Sequence, residues 1–185
     1  GLAQETGVSG IVYHIMGING ATCASFSTPE NLHAVAGLDP DLIIVSFGTN
    51  EAHGRNYSAE EHRRQLTSFF TELKNRCPHA AFLLTTPPGA YMRSGRRGKT
   101  INTRTPRVVE TEKRFAADNG LALWDLYDIA GGQERACRNW TAANMFQRDR
   151  IHFTQEGYVL QGLLLHEAFI KAYNCLLYTS PSPRD

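Results

Sequence analysis

Apolar positions along this chain gather in short runs separated by segments of helical spacing, and the two patterns alternate. Four runs predict strands. Residues 11–16 (Ile-Val-Tyr-His-Ile-Met) are bulky and stop at Gly17. Residues 41–46 (Asp-Leu-Ile-Ile-Val-Ser) lie between Pro40 and Gly48. Their near-continuous apolar character suits a strand buried on both faces of a parallel sheet. Residues 81–85 are stopped by Pro87 and Pro88, and residues 121–124 are introduced by Gly120. Ser58 and Glu61 have the spacing of a helix-opening capping box. Behind them Leu66, Phe69, Phe70 and Leu73 recur at helical spacing as far as Arg76, before Cys77 and Pro78 end the pattern. Pro106 opens a second helix with Val108, Val109, Glu112 and Phe115 on one face, closed by Asn119 and Gly120. Thr154 caps a last helix whose predicted buried stripe is Val159, Leu160, Leu163, Leu164 and Ile170. Strands alternating with helices imply an α/β fold, a three-layer α/β/α arrangement around a central parallel sheet. No internal repeat interrupts it.

Residues 91–105 break the rhythm. They hold Arg93, Arg96, Arg97, Lys99 and Arg104, two glycines and no acid. Two readings fit: a solvated mobile loop, or an active-site flap that attracts an anionic polymer.

Composition narrows the class. With 185 residues, 42% apolar and 20% charged, the chain has material for one packed domain and is not a disordered sequence. A net charge of +1 argues against a nucleic-acid binder. No run of 18 apolar residues predicts a membrane span, and no signal segment opens the chain. The chain begins at Gly1 without Met and is expected to start mid-protein. Residues 175–185 match the translation of a transposase sequencing adaptor, show no strand or helix pattern, and are read as foreign to the fold. That leaves Cys23, Cys77 and Cys137, an odd number without metal-ligand spacing, read as small buried apolar residues. A Cys77–Cys137 disulfide is the alternative.

Three polar clusters fall at the carboxyl ends of predicted strands or at the mouth of the last helix, where open α/β sheets bind ligands. They are residues 17–22 (Gly-Ile-Asn-Gly-Ala-Thr), 46–51 (Ser-Phe-Gly-Thr-Asn-Glu) and 148–154 (Arg-Asp-Arg-Ile-His-Phe-Thr). Acyl-enzyme ester hydrolysis needs a nucleophile, a base, a group that orients the base, and donors for the oxyanion. Gly20 can offer a backbone amide, Asn50 a side-chain amide, His152 a base and Asp149 its orienting carboxylate. Taken singly, each also fits an ordinary turn or helix entry.

Together and in this order they resemble the SGNH hydrolases, also called GDSL lipases or esterases. That family carries a Gly-Asp-Ser block, a glycine block, a Gly-x-Asn block and an Asp-x-x-His block. Gly20, then Gly48 with Asn50, then Asp149 with His152 look like the last three, over about residues 11–173. The resemblance implies an SGNH/flavodoxin-like fold whose first strand and serine block are missing here. It implies that Gly20 and Asn50 serve the oxyanion hole, that His152 is the general base and that Asp149 orients it. No Gly-Asp-Ser occurs in the chain, and Ser9, Ser25, Ser27 and Ser46 are badly placed for a nucleophile. The serine is expected upstream of Gly1, and the chain as it stands is expected to be inactive. Residues 1–10 are read as the end of an upstream insertion or linker, 11–174 as a partial hydrolase domain.

The blocks are most similar to bacterial members related to peptidoglycan O-acetylesterases, which implies an acetylated glycan ester as substrate and a periplasmic or secreted location. A lipid-directed lipase or lysophospholipase and a non-catalytic glycan-binding module are the alternatives. Thr49, His53 and Arg97 are candidate substrate-binding residues. His33, His62 and His79 are read as surface residues, His14 and His166 as structural ones, and Asp125 as a structural or supporting group. No metal and no cofactor are expected.

Overall fold

The computed structural model describes residues 10–96 and 98–179. Arg97, Ser9 with the rest of residues 1–8, and residues 180–185 lie outside the described residues. In chain order the elements are α1 (Cys23–Phe26), α2 (Pro29–Ala36), β1 (Leu42–Ser46), α3 (Thr49–His53), α4 (Ala59–Arg76), β2 (Ala81–Thr85), β3 (Tyr91–Ser94), β4 (Gly98–Ile101), α5 (Thr105–Asp118), β5 (Ala122–Trp124), α6 (Leu126–Ile129), α7 (Gln133–Ala142) and α8 (Gln155–Thr179).

β1, β2 and β5 form a parallel sheet in that order, with Leu42 opposite Ala81 and Leu83 opposite Ala122. The period-two alternation of strands divides their side chains between two layers. Ile43, Val45, Phe82, Leu84 and Leu123 pack with Phe26, Leu32, Leu66, Phe69, Phe70, Leu73 and Phe115 from α1, α2, α4 and α5. Ile44, Leu83 and Trp124 face the other way, onto Leu164, Leu165 and Ala168 of α8. The sheet is therefore sandwiched between helices, in the three-layer α/β/α order.

α4 begins as its sequence predicts, with the Ser58 hydroxyl accepting from the Glu61 amide. Glu61 does not reach back to complete a box; its carboxylate takes the side chains of Arg64 and Gln65 instead. Thr154 accepts from the Gly157 amide at the mouth of α8.

Four expectations are corrected. Residues 11–16 do not form a strand beyond a single bridge residue at Tyr13, and Ile11, Val12 and Ile15 are exposed. A strand needs a neighbour for its amides and carbonyls; among the described residues no strand runs beside this segment or beyond β1. Residues 91–101 are not a loop: β3 and β4 make an antiparallel hairpin, with Tyr91 opposite Ile101. On α8 the packed face is Leu160, Leu164, Leu165 and Ala168, whereas Val159, Leu163 and Ile170 are exposed. The apolar stripe is wider than the sheet surface it meets. α8 also runs on to Thr179, through residues read as patternless. Leucine-rich sequence without proline propagates a helix already nucleated.

The histidines also differ from expectation. His62 is 2% exposed, because its ring turns inward under Tyr57 and toward Glu112. His14 and His166 are exposed rather than packed. Cys23, Cys77 and Cys137 are free and buried.

Candidate active site

The turn after β1 is tightly constrained. Gly48 has φ +100°, a left-handed conformation that L side chains rarely adopt. A Cβ here would also lie 2.7 Å from Pro87 Cγ and 2.8 Å from Glu112 Oε1. Glycine is needed on both counts, and it lets α3 start directly behind the sheet with Asn50 in its first turn. The Asn50 side chain donates from Nδ2 to the Ala21 carbonyl at 2.7 Å. An amide nitrogen carries two hydrogens, so the bond to Ala21 anchors the group with one of them. Ala21 follows Gly20, which has φ +74° in a turn closed by the Ala21 amide on the Ile18 carbonyl. Asn50 and the Gly20 turn are thereby held side by side.

Asp149 and His152 are built differently. Asp149 Oδ1 accepts from the amides of Ile151 (2.9 Å) and His152 (3.0 Å), and Oδ2 faces His152 Nδ1 at 2.6 Å. Arg150, between them, is left-handed at φ +56°. The next residue, Phe153, is buried against Phe146 and Trp140. The Gln147 amide donates to the His152 carbonyl at 2.8 Å. Partial burial pushes the Asp149 carboxyl up, but the His152 ring and the two amides outweigh it and hold it down to about 2. The carboxylate stays charged near neutral pH, fixes the Nδ1–H tautomer and leaves Nε2 as the basic nitrogen.

Tyr91 connects the two halves. Its amide donates to the Arg150 carbonyl at 3.0 Å, and its own carbonyl lies 3.1 Å from His53 Nε2. His53 Nδ1 lies 2.7 Å from the Thr49 carbonyl. The Arg150 guanidinium sits over the Tyr91 ring, 5.0 Å from its centroid. The Lys99 ammonium donates to the Arg148 carbonyl. The basic hairpin is thus docked on the Asp149–His152 turn. Arg97 falls outside the described residues.

Asp125 is structural. It caps α6, accepts from the Thr86 hydroxyl and pairs with Lys113. Glu51 carried no role in the sequence reading, yet its carboxylate is buried between the segment that follows Gly20 and the Gly48 turn. The one signal was its place three residues after Gly48, where an acid can reach back to a helix N-cap amide. Among the described residues no group of three His, Cys, Asp or Glu side chains is arranged to hold a metal ion. No described helix is long and apolar enough to cross a membrane.

Residues 1–160 match the GDSL-like lipase/acylhydrolase family. The chain belongs to this family. Comparison with curated proteins finds no match. Among solved structures, this GDSL-like chain is similar to a peptidoglycan O-acetylesterase, at 24% identity and TM-score 0.77 over 86% of this chain and 46% of that one. It is also similar to the acetyl xylan esterase AlAXEase, at 18% identity and TM-score 0.64 over 83% of this chain and 78% of that one. A putative acylhydrolase from Bacteroides fragilis aligns at 22% identity and TM-score 0.64, over 85% and 74% of the two chains. The GDSL-like chain spans less than half the length of the peptidoglycan O-acetylesterase, and the likeness to all three is one of fold.

Proposed function

We propose that this chain is the oxyanion and acid–base part of a serine ester hydrolase that removes acetyl groups from carbohydrate such as peptidoglycan. The observation that carries the reading is the Asp149–His152 hydrogen bond, which leaves His152 Nε2 free to act as a base, in a chain that also holds an anchored Asn50 amide. A seryl oxygen from a segment preceding Gly1 attacks the ester carbonyl carbon while its proton passes to His152 Nε2. The tetrahedral oxyanion is stabilised by the Gly20 amide and the second Asn50 Nδ2 hydrogen. Collapse expels the sugar alkoxide, which takes the proton from His152, and leaves acetyl-serine. Water then repeats the cycle: His152 removes its proton, acetate leaves, and the serine is regenerated. A location outside the cytoplasm follows from a cell-wall substrate and belongs to the same proposal.

The test is acetate release from O-acetylated peptidoglycan by the full-length protein, with the 185-residue chain and a phospholipid substrate in parallel. Full-length turnover of the glycan ester, lost in His152→Ala and absent from the chain alone, is the expected result. Faster phospholipid hydrolysis would move the reading to a lipase. Glycan binding without acetate release would make it a binding module.

A further inference from the structure

We propose that Glu51 is a positioning residue that clamps the two oxyanion segments to each other. The inference rests on the ester-hydrolase reading and assigns a further residue to that same site. Glu51 Oε1 accepts from the Cys23 amide at 2.7 Å, and Oε2 accepts from the Gly48 amide at 2.8 Å. One carboxylate thus spans the segment that follows Gly20 and the turn that precedes Asn50. The side chain is 8% exposed, so water does not compete for these bonds. Amide hydrogen bonds to a carboxylate are roughly twice as strong as neutral ones. Asn50 crosses to the same segment one residue away, at Ala21. Two adjacent residues of α3 therefore fasten the turn to residues 21–23. Asn50 alone would leave its amide to swing about a single bond; with Glu51 the backbone on both sides is fixed.

The neighbouring acid does not share this role. Glu112 is fully buried and touches the same turn, but among the described residues neither of its oxygens has a hydrogen-bond donor. Burial, and then the nearness of Glu51, keep its proton on well above the usual carboxylate range. Its partner His62, with Nε2 at 3.4 Å from Glu112 Oε1, is pushed down by burial. Glu112 and His62 thus back the Gly48 turn without bonding its amides, and the amide-binding carboxylate is that of Glu51.

Glu51→Gln tests the clamp in the full-length protein, because it keeps the shape and turns an acceptor into a donor aimed at an amide. A misplacement of about 1 Å at a reacting centre can cost on the order of 10²-fold. We expect kcat for an activated acetyl ester to fall ~10- to 10²-fold, with KM changed less than about twofold. Glu51→Asp, which retains both acceptors, should recover part of the loss. In an Asn50→Ala background Glu51→Gln should cost less than about threefold more, because the group it positions is gone. In ¹H–¹⁵N spectra the Gly48 and Cys23 amides and the Asn50 side-chain pair should all shift in Glu51→Gln. Multiplicative losses with Asn50→Ala, or Asn50 side-chain signals indifferent to Glu51, would overturn the proposal. If those signals respond in a protein that has no esterase activity at all, the clamp stands and the hydrolase reading falls.

Discussion

The two halves of the candidate site are held by opposite means. The Gly48–Asn50 turn is buried at Gly48, half-buried at Asn50, and fastened across long stretches of sequence: Asn50 to Ala21, Glu51 to Cys23, Gly48 against Pro87 and Glu112. The Asp149–His152 turn is closed within itself by bonds between residues two to five apart, receives the Tyr91 amide and the Lys99 ammonium on the carbonyls of Arg150 and Arg148, and leaves the Asp149 and His152 side chains 44% and 54% exposed. A donor that must sit where charge develops gains from a rigid, dry mounting. A base that takes and returns a proton needs only a fixed tautomer and access to the reacting atoms, which a local turn provides. The contrast teaches where the long-range contacts land: on the Asn50 and Glu51 side chains themselves in one half, and not on the Asp149 and His152 side chains, which bond within their own turn.

Breaking the local half should have the largest effect on chemistry. In the full-length protein His152→Ala should reduce turnover of an activated acetyl ester by about 10⁴-fold or more; a loss under tenfold would remove the base from the mechanism. Asn50→Ala should lower kcat on the order of 10²–10³-fold with KM nearly unchanged. A loss confined to KM would make Asn50 a ground-state contact.

The next effects are on stability and should separate the halves. Gly48→Ala meets both a left-handed φ and a close approach, and should destabilise by about 2–4 kcal/mol in denaturant titration. A smaller cost would mean that the turn is looser than its contacts imply. Glu112→Gln should change the pH dependence of Tm. The folded-state pKa of Glu112 is raised, so its contribution is full below the ordinary value of 4.5 and is lost as pH rises toward the folded value. The variant should hold its Tm on the alkaline side where the parent declines; parallel curves would refute the raised pKa of Glu112. Smallest is Asp149. Its pKa is lowered, so its contribution is present above the ordinary value of 3.8 and lost as pH falls toward about 2. With the group this exposed, solvent screens most of the effect. An Asp149→Asn scan between those limits should show only a slight shift, and a large one would mean the turn is less local than it looks.

The same contrast explains what the sequence could reveal. Asp149 and His152 are legible because their spacing permits a hydrogen bond within one turn and the ordered company of Gly20, Gly48 and Asn50 singles that turn out. The parallel strands are legible because their apolar runs are bounded by Pro40, Gly48, Pro87 and Gly120. Glu51 is opaque because its role depends on Cys23, 28 residues earlier. His62 sits among Glu60, Glu61, Arg63 and Arg64, and only the packing of α4 on α5 shows that its ring points inward. The β3–β4 hairpin is hidden by its arginines and glycines, since its pairing rather than its composition makes it β. Residues 11–16 err the other way: their composition suits a strand, and composition supplies no partner.

The outer edge of β1 carries a practical consequence. Next to it no described strand covers the Leu42–Ser46 ladder, and Ile11, Val12 and Ile15 add exposed apolar side chains to the same chain. A sheet edge is where an extended segment, of this chain or of another, can dock and continue the ladder. Self-association that rises with concentration would show that ladder free, and a monomer at all concentrations would show it occupied.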